Sequence, residues 1–160
     1  MGCPHDDETW RSINTNLHAL FNQYPDLKGI IFRFGEAFET DSWAIRINPF
    51  SCQCNVCERL GKIGALQRIV SELEEIVCEQ LGMYCILRMW DLGEDGFHAD
   101  SEQQSAGLAT WNDNTRLVVS VKHTATDYWR NQPWNNSIEL DGPPRLIEFQ
   151  CEREYEFLGL

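Results

Sequence analysis

Four short apolar runs constrain the fold more than any other feature of this sequence. They read "GIIFRF" at 29–34, "MYCILRMW" at 83–90, "RLVVSVKH" at 116–123 and "RLIEFQ" at 145–150. Their apolar positions are continuous, whereas a strand with one face in water alternates apolar and polar residues. Continuous apolar strands are typical of a parallel sheet that is covered on both faces. The sequence therefore predicts an α/β protein with about four parallel strands.

Helical patterns precede the first two of these strands. The stretch from Asp6 begins with acidic residues, continues with apolar residues at helical spacing, and stops at Pro25. A second helix is predicted over about Glu58–Leu81, with Gly82 as the residue that ends it. Long polar loops follow the strands, and the loop after the second strand has room for a short helix. A chain of 160 residues suits one domain with its own core, so residues 1–160 are taken as a single domain.

The net charge and the cysteine content limit which partners the protein can bind and which cellular compartment it suits. The net charge of −12 disfavours nucleic acid and anionic membrane surfaces as partners. No apolar run approaches the roughly 20 residues of a membrane helix, and the start lacks the pattern of a secretory leader. The seven cysteines are an odd number, and two of them, Cys78 and Cys85, sit in apolar surroundings. Free thiols in a reducing compartment follow most simply, which predicts a cytoplasmic protein.

Charged and aromatic residues collect where each predicted strand ends. In chain order the charged ones are Arg33 and Glu36, Arg88 and Asp91, Lys122, His123 and Asp127, and Glu148, Glu152 and Glu154. Parallel strands would gather them at one rim, together with Trp90 and Trp129 from the same loops. Aromatic faces stack on pyranose rings, carboxylates do acid–base work, and Arg or Lys binds a uronate carboxylate. The rim is thus a candidate site for an acidic sugar, and structural salt bridges are the alternative.

Two segments, "LVVSVKHTATDYW" and "RLIEFQCEREYEFLG", resemble the catalytic core of the xylan α-glucuronidases, a (β/α)8 glycoside hydrolase family. In that family a V-V-V-Q-V-K strand is followed by a short loop carrying an Asp. An L-E-F-Q strand then precedes Gln-Glu-Tyr-Leu-Gly. Lys122 and Asp127 match the Lys and Asp of the first motif, and Glu154 stands at the second catalytic carboxylate of the other. This chain differs by inserting Glu156 and Phe157 before its Leu-Gly.

The resemblance extends upstream and implies a mechanism. "DLKGIIFRFGE" is similar to the strand that carries the catalytic acid, which implies Glu36, with Arg33 as a basic residue three positions before it where the family has four. "CILRMWDLG" is similar to a strand with an Arg, which implies Arg88. The family catalyses inverting hydrolysis that releases a terminal uronic acid from an oligosaccharide. The resemblance then implies Glu36 as acid and Asp127 with Glu154 as the pair that activates water.

The same resemblance assigns the remaining roles. Arg33, Arg88 and Lys122 would hold the uronate, and catalysis would need no cofactor. From their place at the rim, and not from the resemblance, Trp90 and Trp129 would stack on the sugar. A complete barrel has about 250 residues, so this chain would supply only its fourth to seventh strands. We therefore expect a fragment of a longer polypeptide, or a half-barrel that pairs with a missing half or with itself. The alternative function is a non-catalytic carbohydrate-binding or zinc-stabilised α/β module.

A cysteine cluster lies between the first strand and the second helix, in "CQCNVC". Cys52, Cys54 and Cys57 have C-x-C-x2-C spacing, which offers three thiolates to one structural Zn²⁺. Cys3, His5 or Cys85 could supply a fourth ligand. The glucuronidases have no counterpart to this motif, and free thiols that pack the loop are the other interpretation.

Overall fold

The computed structural model describes residues 3–33, 50, 52–90, 97–128 and 131–150. Within them the helices are α1 (Asp7–Gln23), α2 (Asn55–Leu73), a π-helical turn (Glu74–Gln80), α3 (Ser101–Gly107) and a 3-10 turn (Asn136–Glu139). The strands are β1 (Gly29–Arg33), β2 (Tyr84–Arg88), β3 (Leu117–Lys122) and β4 (Arg145–Glu148). None of the described helices combines the length and apolar character needed to cross a membrane.

The four strands form one parallel sheet whose order follows the chain, β1-β2-β3-β4. The register pairs Ile31 with Ile86, Ile86 with Val118, and Ser120 with Leu146. Each strand lies inside one of the apolar runs, and α3 occupies the loop after β2. The prediction of an α/β protein with four parallel strands is confirmed.

One face of the sheet carries the core. It contributes the buried side chains of Cys85, Leu87, Leu117, Val119 and Val121, and the helices add Trp10, Leu17, Phe21, Leu66, Ile69, Val70 and Leu73. Burying one large aliphatic side chain contributes about 1.5–3 kcal/mol, so this face dominates the stability of the domain.

The other face is called here the open face. Its side chains alternate with those of the core face: Ile31, Ile86, Val118 and Leu146 in its apolar part, then Arg33, Arg88, Ser120, Lys122 and Glu148 towards the carboxyl ends. Ile31 is 62% exposed and Leu146 is 43% exposed. The continuous apolar pattern predicts cover on both faces, but on the two edge strands of the described sheet this face remains accessible.

Helix α1 is capped and docked by its own N-terminal segment. The Asp6 carboxylate accepts hydrogen bonds from the backbone N–H groups of Glu8 and Thr9, at 3.3 and 3.1 Å. The Trp10 indole Nε1 donates to the Pro4 carbonyl oxygen at 2.7 Å, and the ring is 3% exposed. The segment that begins at Cys3 is thereby held against the core.

Helix α2 begins earlier than the apolar stripe predicts, at Asn55 and not near Glu58. Its N-cap is Cys54, whose Sγ accepts the Cys57 N–H at 3.5 Å. Gly61 interrupts the helix with φ +64°, a conformation that glycine adopts without a Cβ clash. From Glu74 the backbone continues as the π-helical turn, so the predicted single helix is interrupted at Gly61 and changes pitch at Glu74.

Candidate functional site

The carboxyl ends of β2, β3 and β4 bring paired charges together on the open face. The Arg88 guanidinium donates from Nε and Nη2 to the two carboxylate oxygens of Glu148, at 2.8 and 2.7 Å. The Ser120 hydroxyl donates to the same carboxylate at 2.6 Å. Side-chain exposure is 25% for Arg88 and 18% for Glu148, so this bidentate pair is largely shielded from water.

The environment of Glu148 keeps its carboxyl group ionised. Burial alone would raise the pKa of Glu148, but the hydrogen bonds from Arg88 and Ser120 and the positive charge of Arg88 outweigh it and lower the pKa. A carboxylate with a lowered pKa is a poor proton donor at neutral pH. Glu148 therefore acts as an anchor for Arg88 and is unsuited to the role of general acid.

Lys122 occupies the neighbouring position at the end of β3. Its ammonium forms an ion pair with Asp127, and its side chain is 8% exposed. The same nitrogen lies 3.3 Å from the centroid of the Trp90 ring and 4.5 Å from that of Tyr128. The Tyr128 N–H also donates to Asp127 Oδ1 at 2.9 Å. Asp127 is thus held by a cation and a backbone donor beside two aromatic rings.

Buried polar side chains hydrogen-bond the backbone at the carboxyl end of β3. The His98 ring packs edge-on against Trp90, with centroids 4.8 Å apart, and its Nε2 donates to the Thr124 carbonyl at 2.8 Å. Burial lowers the pKa of His98, although the Thr124 carbonyl opposes that shift. The Asn135 amide donates to the carbonyls of His98 and Lys122, at 2.9 and 3.1 Å. These contacts fix the backbone that presents Lys122.

An aromatic group borders the charges. His123 is stacked between Tyr128 and Phe149, with ring centroids 5.6 and 5.1 Å apart, and Trp134 lies 6.3 Å away. His123 Nδ1 lies 3.2 Å from the Glu148 carbonyl oxygen, which can only accept, so this nitrogen carries the proton. Phe149 and Trp134 are 59% and 48% exposed. Exposed aromatic rings therefore lie beside the paired charges at this end of the sheet.

The structure brings together part of the predicted sugar site. Arg88, Lys122, Asp127 and Trp90 lie at the carboxyl ends as described, and Arg33 is in register with Arg88 across β1 and β2. Glu36, Trp129 and Glu154 lie outside the described residues.

Several contributors to this rim were missed in the sequence. Ser120, Asn135 and the pairing of Glu148 with Arg88 carry no local signal, because the partners are 28 and 60 positions apart. Alternation along β4 could have placed Glu148 on the face of Leu146, but only the register between strands identifies its partner.

Four cysteines form a second candidate site. The Sγ atoms of Cys3, Cys52, Cys54 and Cys57 all lie within 4.8 Å of one another. Cys3 Sγ is 3.4 Å from Cys57 Sγ and 3.6 Å from Cys54 Sγ. A tetrahedral zinc with Zn–S bonds of about 2.3 Å separates its sulfurs by about 3.8 Å, so these spacings suit one metal ion.

Of the three candidates for the fourth zinc ligand, one lies beside the other three cysteines. Cys3 is the residue that joins the C-x-C-x2-C cysteines, whereas Cys85 lies in β2, is fully buried in the core, and is not part of this group. His5 follows Cys3 by two residues and is not part of it either.

The cysteines of the cluster differ in the pKa of their thiols. The Cys57 backbone N–H, followed by contacts with the Cys57 and Cys3 thiols, lowers the pKa of Cys54 to about 6. Burial raises the pKa of Cys57, and it raises the pKa of Cys3 as well. Cys54 is therefore the thiol that carries negative charge most readily, and the group can offer a thiolate to a cation.

Compared with known proteins, the chain matches no family model, no curated protein and no solved structure. Its chemistry is therefore inferred from its own residues. These are the paired charges and exposed rings at the carboxyl ends of the strands, and the four thiols at the start of α2.

Proposed function

We propose that this chain is part of a glycoside hydrolase of the α-glucuronidase type, which releases a terminal uronic acid from an oligosaccharide. The observation that carries the proposal is the Lys122–Asp127 pair at the end of β3, held beside the rings of Trp90 and Tyr128. These are the Lys and Asp of the motif that resembles the family. Arg88 lies at the end of the adjacent strand, so two cations flank the position where a uronate carboxylate would bind.

In the proposed reaction the carboxylates have separate tasks. Asp127, with Glu154, accepts a proton from the attacking water, and Glu36 donates a proton to the leaving oxygen on the opposite face of the sugar. The Tyr128 N–H orients the Asp127 carboxylate. The ammonium of Lys122 has three N–H donors, so it can bind the uronate while it keeps its contact with Asp127.

The open face supports a barrel architecture for this enzyme. Its side chains are apolar in the lower part of the strands and polar at the carboxyl ends, which is the layering of a (β/α)8 barrel interior. We propose that the sheet is half of such a barrel. Further strands would cover Ile31 and Leu146, which are 62% and 43% exposed. They come from the remainder of a longer polypeptide or from a second copy of the chain.

Binding of a uronic acid tests the sugar site. Titration with glucuronic acid, followed by NMR, should perturb the indole and amide signals of the rim, while glucose should do so more weakly because it lacks the carboxylate. Lys122→Met should weaken glucuronic acid binding about 10-fold or more, as expected when a charge-assisted contact of 1.5–3 kcal/mol is lost. Lys28→Met, which removes an exposed lysine before β1, is the matched control.

Hydrolysis tests the reaction itself. In the completed barrel, Asp127→Asn should lower the release of uronic acid from a short oligosaccharide by about 100-fold or more, the scale of a lost general base. In the binding test above, equal affinity for glucose and glucuronic acid would contradict the proposal that Lys122 and Arg88 bind the uronate carboxylate. Unchanged hydrolysis in Asp127→Asn would contradict the mechanism.

The cysteine cluster favours a second function, that of a zinc-stabilised module. We propose that Cys3, Cys52, Cys54 and Cys57 bind one structural Zn²⁺. Four thiolates close the coordination sphere and leave no position for a substrate. The metal would join the segment before α1 to the start of α2, so part of its binding free energy would stabilise the fold.

Metal content tests the zinc centre. Protein purified without added metal should contain about one equivalent of zinc, because closed four-thiolate sites bind it too tightly to lose it on purification. Cys52→Ser should lose the metal, whereas Cys78→Ala, which removes a core thiol outside the cluster, should retain it. Less than about a tenth of an equivalent of zinc, with freely titratable thiols, would overturn the proposal.

A further inference from the structure

The four-cysteine cluster has the geometry for a second chemistry when no metal is bound. We propose that Cys54 is then a peroxide-reactive thiol and that Cys3 resolves it, forming a disulfide that ties the segment before α1 to the start of α2. This inference rests on the same spacing of thiols as the zinc centre, but it requires neither bound zinc nor a sugar site.

Access singles out Cys54 as the thiol that reacts first. Cys54 is exposed, Cys3 and Cys52 are partly buried, and Cys57 is only 8% exposed. Cys54 also caps α2, where its Sγ accepts the Cys57 N–H at 3.5 Å. Cys54 is therefore the most exposed of the four residues to peroxide from solvent, and a backbone donor contacts its sulfur.

Cys3 is placed to close the disulfide. Its Sγ lies 3.6 Å from Cys54 Sγ, whereas a disulfide bond is about 2.05 Å long, so the two sulfurs need to approach by only about 1.5 Å. Cys3 lies before α1, so the approach of its sulfur requires no change within a helix. Cys57, in the first turn of α2, is the competing partner because Cys54 and Cys57 have Cys-x-x-Cys spacing, but Cys57 is only 8% exposed whereas Cys3 is partly buried.

The reaction balances with a peroxide as the oxidant. The Cys54 thiolate attacks hydrogen peroxide, the O–O bond breaks, and sulfenic acid and hydroxide form. The Cys3 sulfur then attacks the sulfenic sulfur, the S–O bond breaks, and the oxygen leaves as water with the proton of the Cys3 thiol. Two thiols and one hydrogen peroxide thereby give one disulfide and two waters.

The disulfide and the metal exclude each other. A Cys3–Cys54 bond removes two of the four thiolates that the zinc centre needs. It also closes a loop that contains all of α1 and β1, so the N-terminal helix becomes covalently attached to α2. The cluster would then respond to both metal supply and peroxide.

Peptide mapping tests the linkage in the full chain. The chain is stripped of metal with a chelator, treated with one equivalent of hydrogen peroxide, and digested with trypsin without reduction. Cleavage after Arg11, Arg46 and Arg59 places Cys3 in peptide 1–11 and the other three cluster cysteines in peptide 47–59. The expected product joins these two peptides, with fragmentation assigning the bond to Cys54, and two of the seven thiols are lost.

Two variants show whether Cys54 is the reacting thiol. Cys54→Ser should abolish the link between the two peptides, whereas Cys52→Ser, the matched change two residues away, should keep it. Circular dichroism confirms that both variants are folded. A link that persists in Cys54→Ser, a main product joining Cys54 to Cys57, or over-oxidation of Cys54 without a disulfide would each overturn the proposal.

The same experiment separates this inference from the zinc centre. A chain that binds no zinc but forms the Cys3–Cys54 bond refutes the metal site and supports the peroxide reaction. A chain that binds zinc but, once stripped, yields no such bond supports the metal site and refutes the peroxide reaction.

Discussion

Removing the Arg88 guanidinium should leave the Glu148 carboxylate at the rim of the sheet without its cationic partner. In Arg88→Met the Glu148 carboxylate would lose both bonds of the bidentate pair and keep that from Ser120. An exposed ion pair is worth about 0–1 kcal/mol, and breaking a fully buried one costs about 3–5 kcal/mol. With side-chain exposures of 25% and 18%, the pair lies between these limits. We expect a loss of about 2 kcal/mol, or about 30-fold in the unfolding constant.

A double-mutant cycle isolates the interaction from other effects of the change. Glu148→Gln keeps the shape of the side chain but removes its charge, so no unpaired carboxylate remains in Arg88→Met/Glu148→Gln. The double variant should therefore be about as stable as Arg88→Met or more stable, although it carries one more substitution. Arg11→Met serves as the matched control, because the Arg11–Glu8 pair is 72% and 73% exposed and should contribute less than about 0.5 kcal/mol.

Urea unfolding at pH 7, followed by tryptophan fluorescence, measures these differences. The midpoint of thermal unfolding should fall by about 4–8 °C in Arg88→Met, as 2 kcal/mol implies for a chain of this length. If Arg88→Met costs no more than Arg11→Met, the shielded pair contributes nothing beyond a surface pair. If the two single losses add fully in the double variant, Arg88 and Glu148 are not coupled.

Three further substitutions, at buried residues, should change the stability of the chain, and a fourth, on the open face, should change its self-association. The folded state lowers the pKa of His98 from its ordinary 6.5, so the unfolded chain binds more protons in acid; stability should fall below about pH 6.5, and less steeply in His98→Gln. Burial raises the pKa of Glu74, so its ionised form costs stability at pH 7, and Glu74→Gln should equal or exceed the native chain in urea. Gly107→Ala should cost about 1–3 kcal/mol, because the new Cβ would overlap Leu66 Cδ2 and lie 3.0 Å from Cγ. The isolated chain should self-associate with rising concentration in sedimentation velocity, and Leu146→Asp, on the open face, should weaken that association.

Each of these expectations can fail on its own. An acid profile that is identical in His98→Gln would show that this imidazole is not the group responsible. If Glu74→Gln is less stable than the native chain, the negative charge of Glu74 stabilises the fold through the hydrogen bonds that it accepts from Asn112. A Gly107→Ala chain of native stability would mean that α3 can move away from α2. A monomer at all concentrations would leave the open face without a partner among copies of this chain.

The sheet was predictable because its signal is local. Continuous apolar residues within 29–33, 84–88, 117–122 and 145–148 indicate parallel strands without reference to the rest of the chain, although the two edge strands are only partly buried. The start of α2 was less predictable, because its cap is the thiol of Cys54 and the usual capping residues are Ser, Thr, Asp and Asn.

The sites were predictable only as far as neighbours along the chain form them. The spacing of Cys52, Cys54 and Cys57 indicates three ligands, and Lys122 and Asp127 lie within one short segment. The fourth thiol, Cys3, is 51 positions from Cys54, and only the packing of the N-terminal segment selects it over His5 or Cys85. Residues 60 positions apart, such as Arg88 and Glu148, meet through strand register, which no local pattern encodes.

The strand order β1-β2-β3-β4 has a consequence for how the chain acquires its fold. In the described sheet each strand after β1 pairs with the strand before it, so none of these pairings has to wait for a segment that is synthesised later. Chains emerge from the ribosome N-terminus first, at about 5–20 residues per second. The β1–β2 pair can therefore form within seconds of its synthesis, and β3 and β4 each add to an edge that already exists. A nascent chain halted after β3 should already contain a three-stranded sheet with α1 and α2 against it.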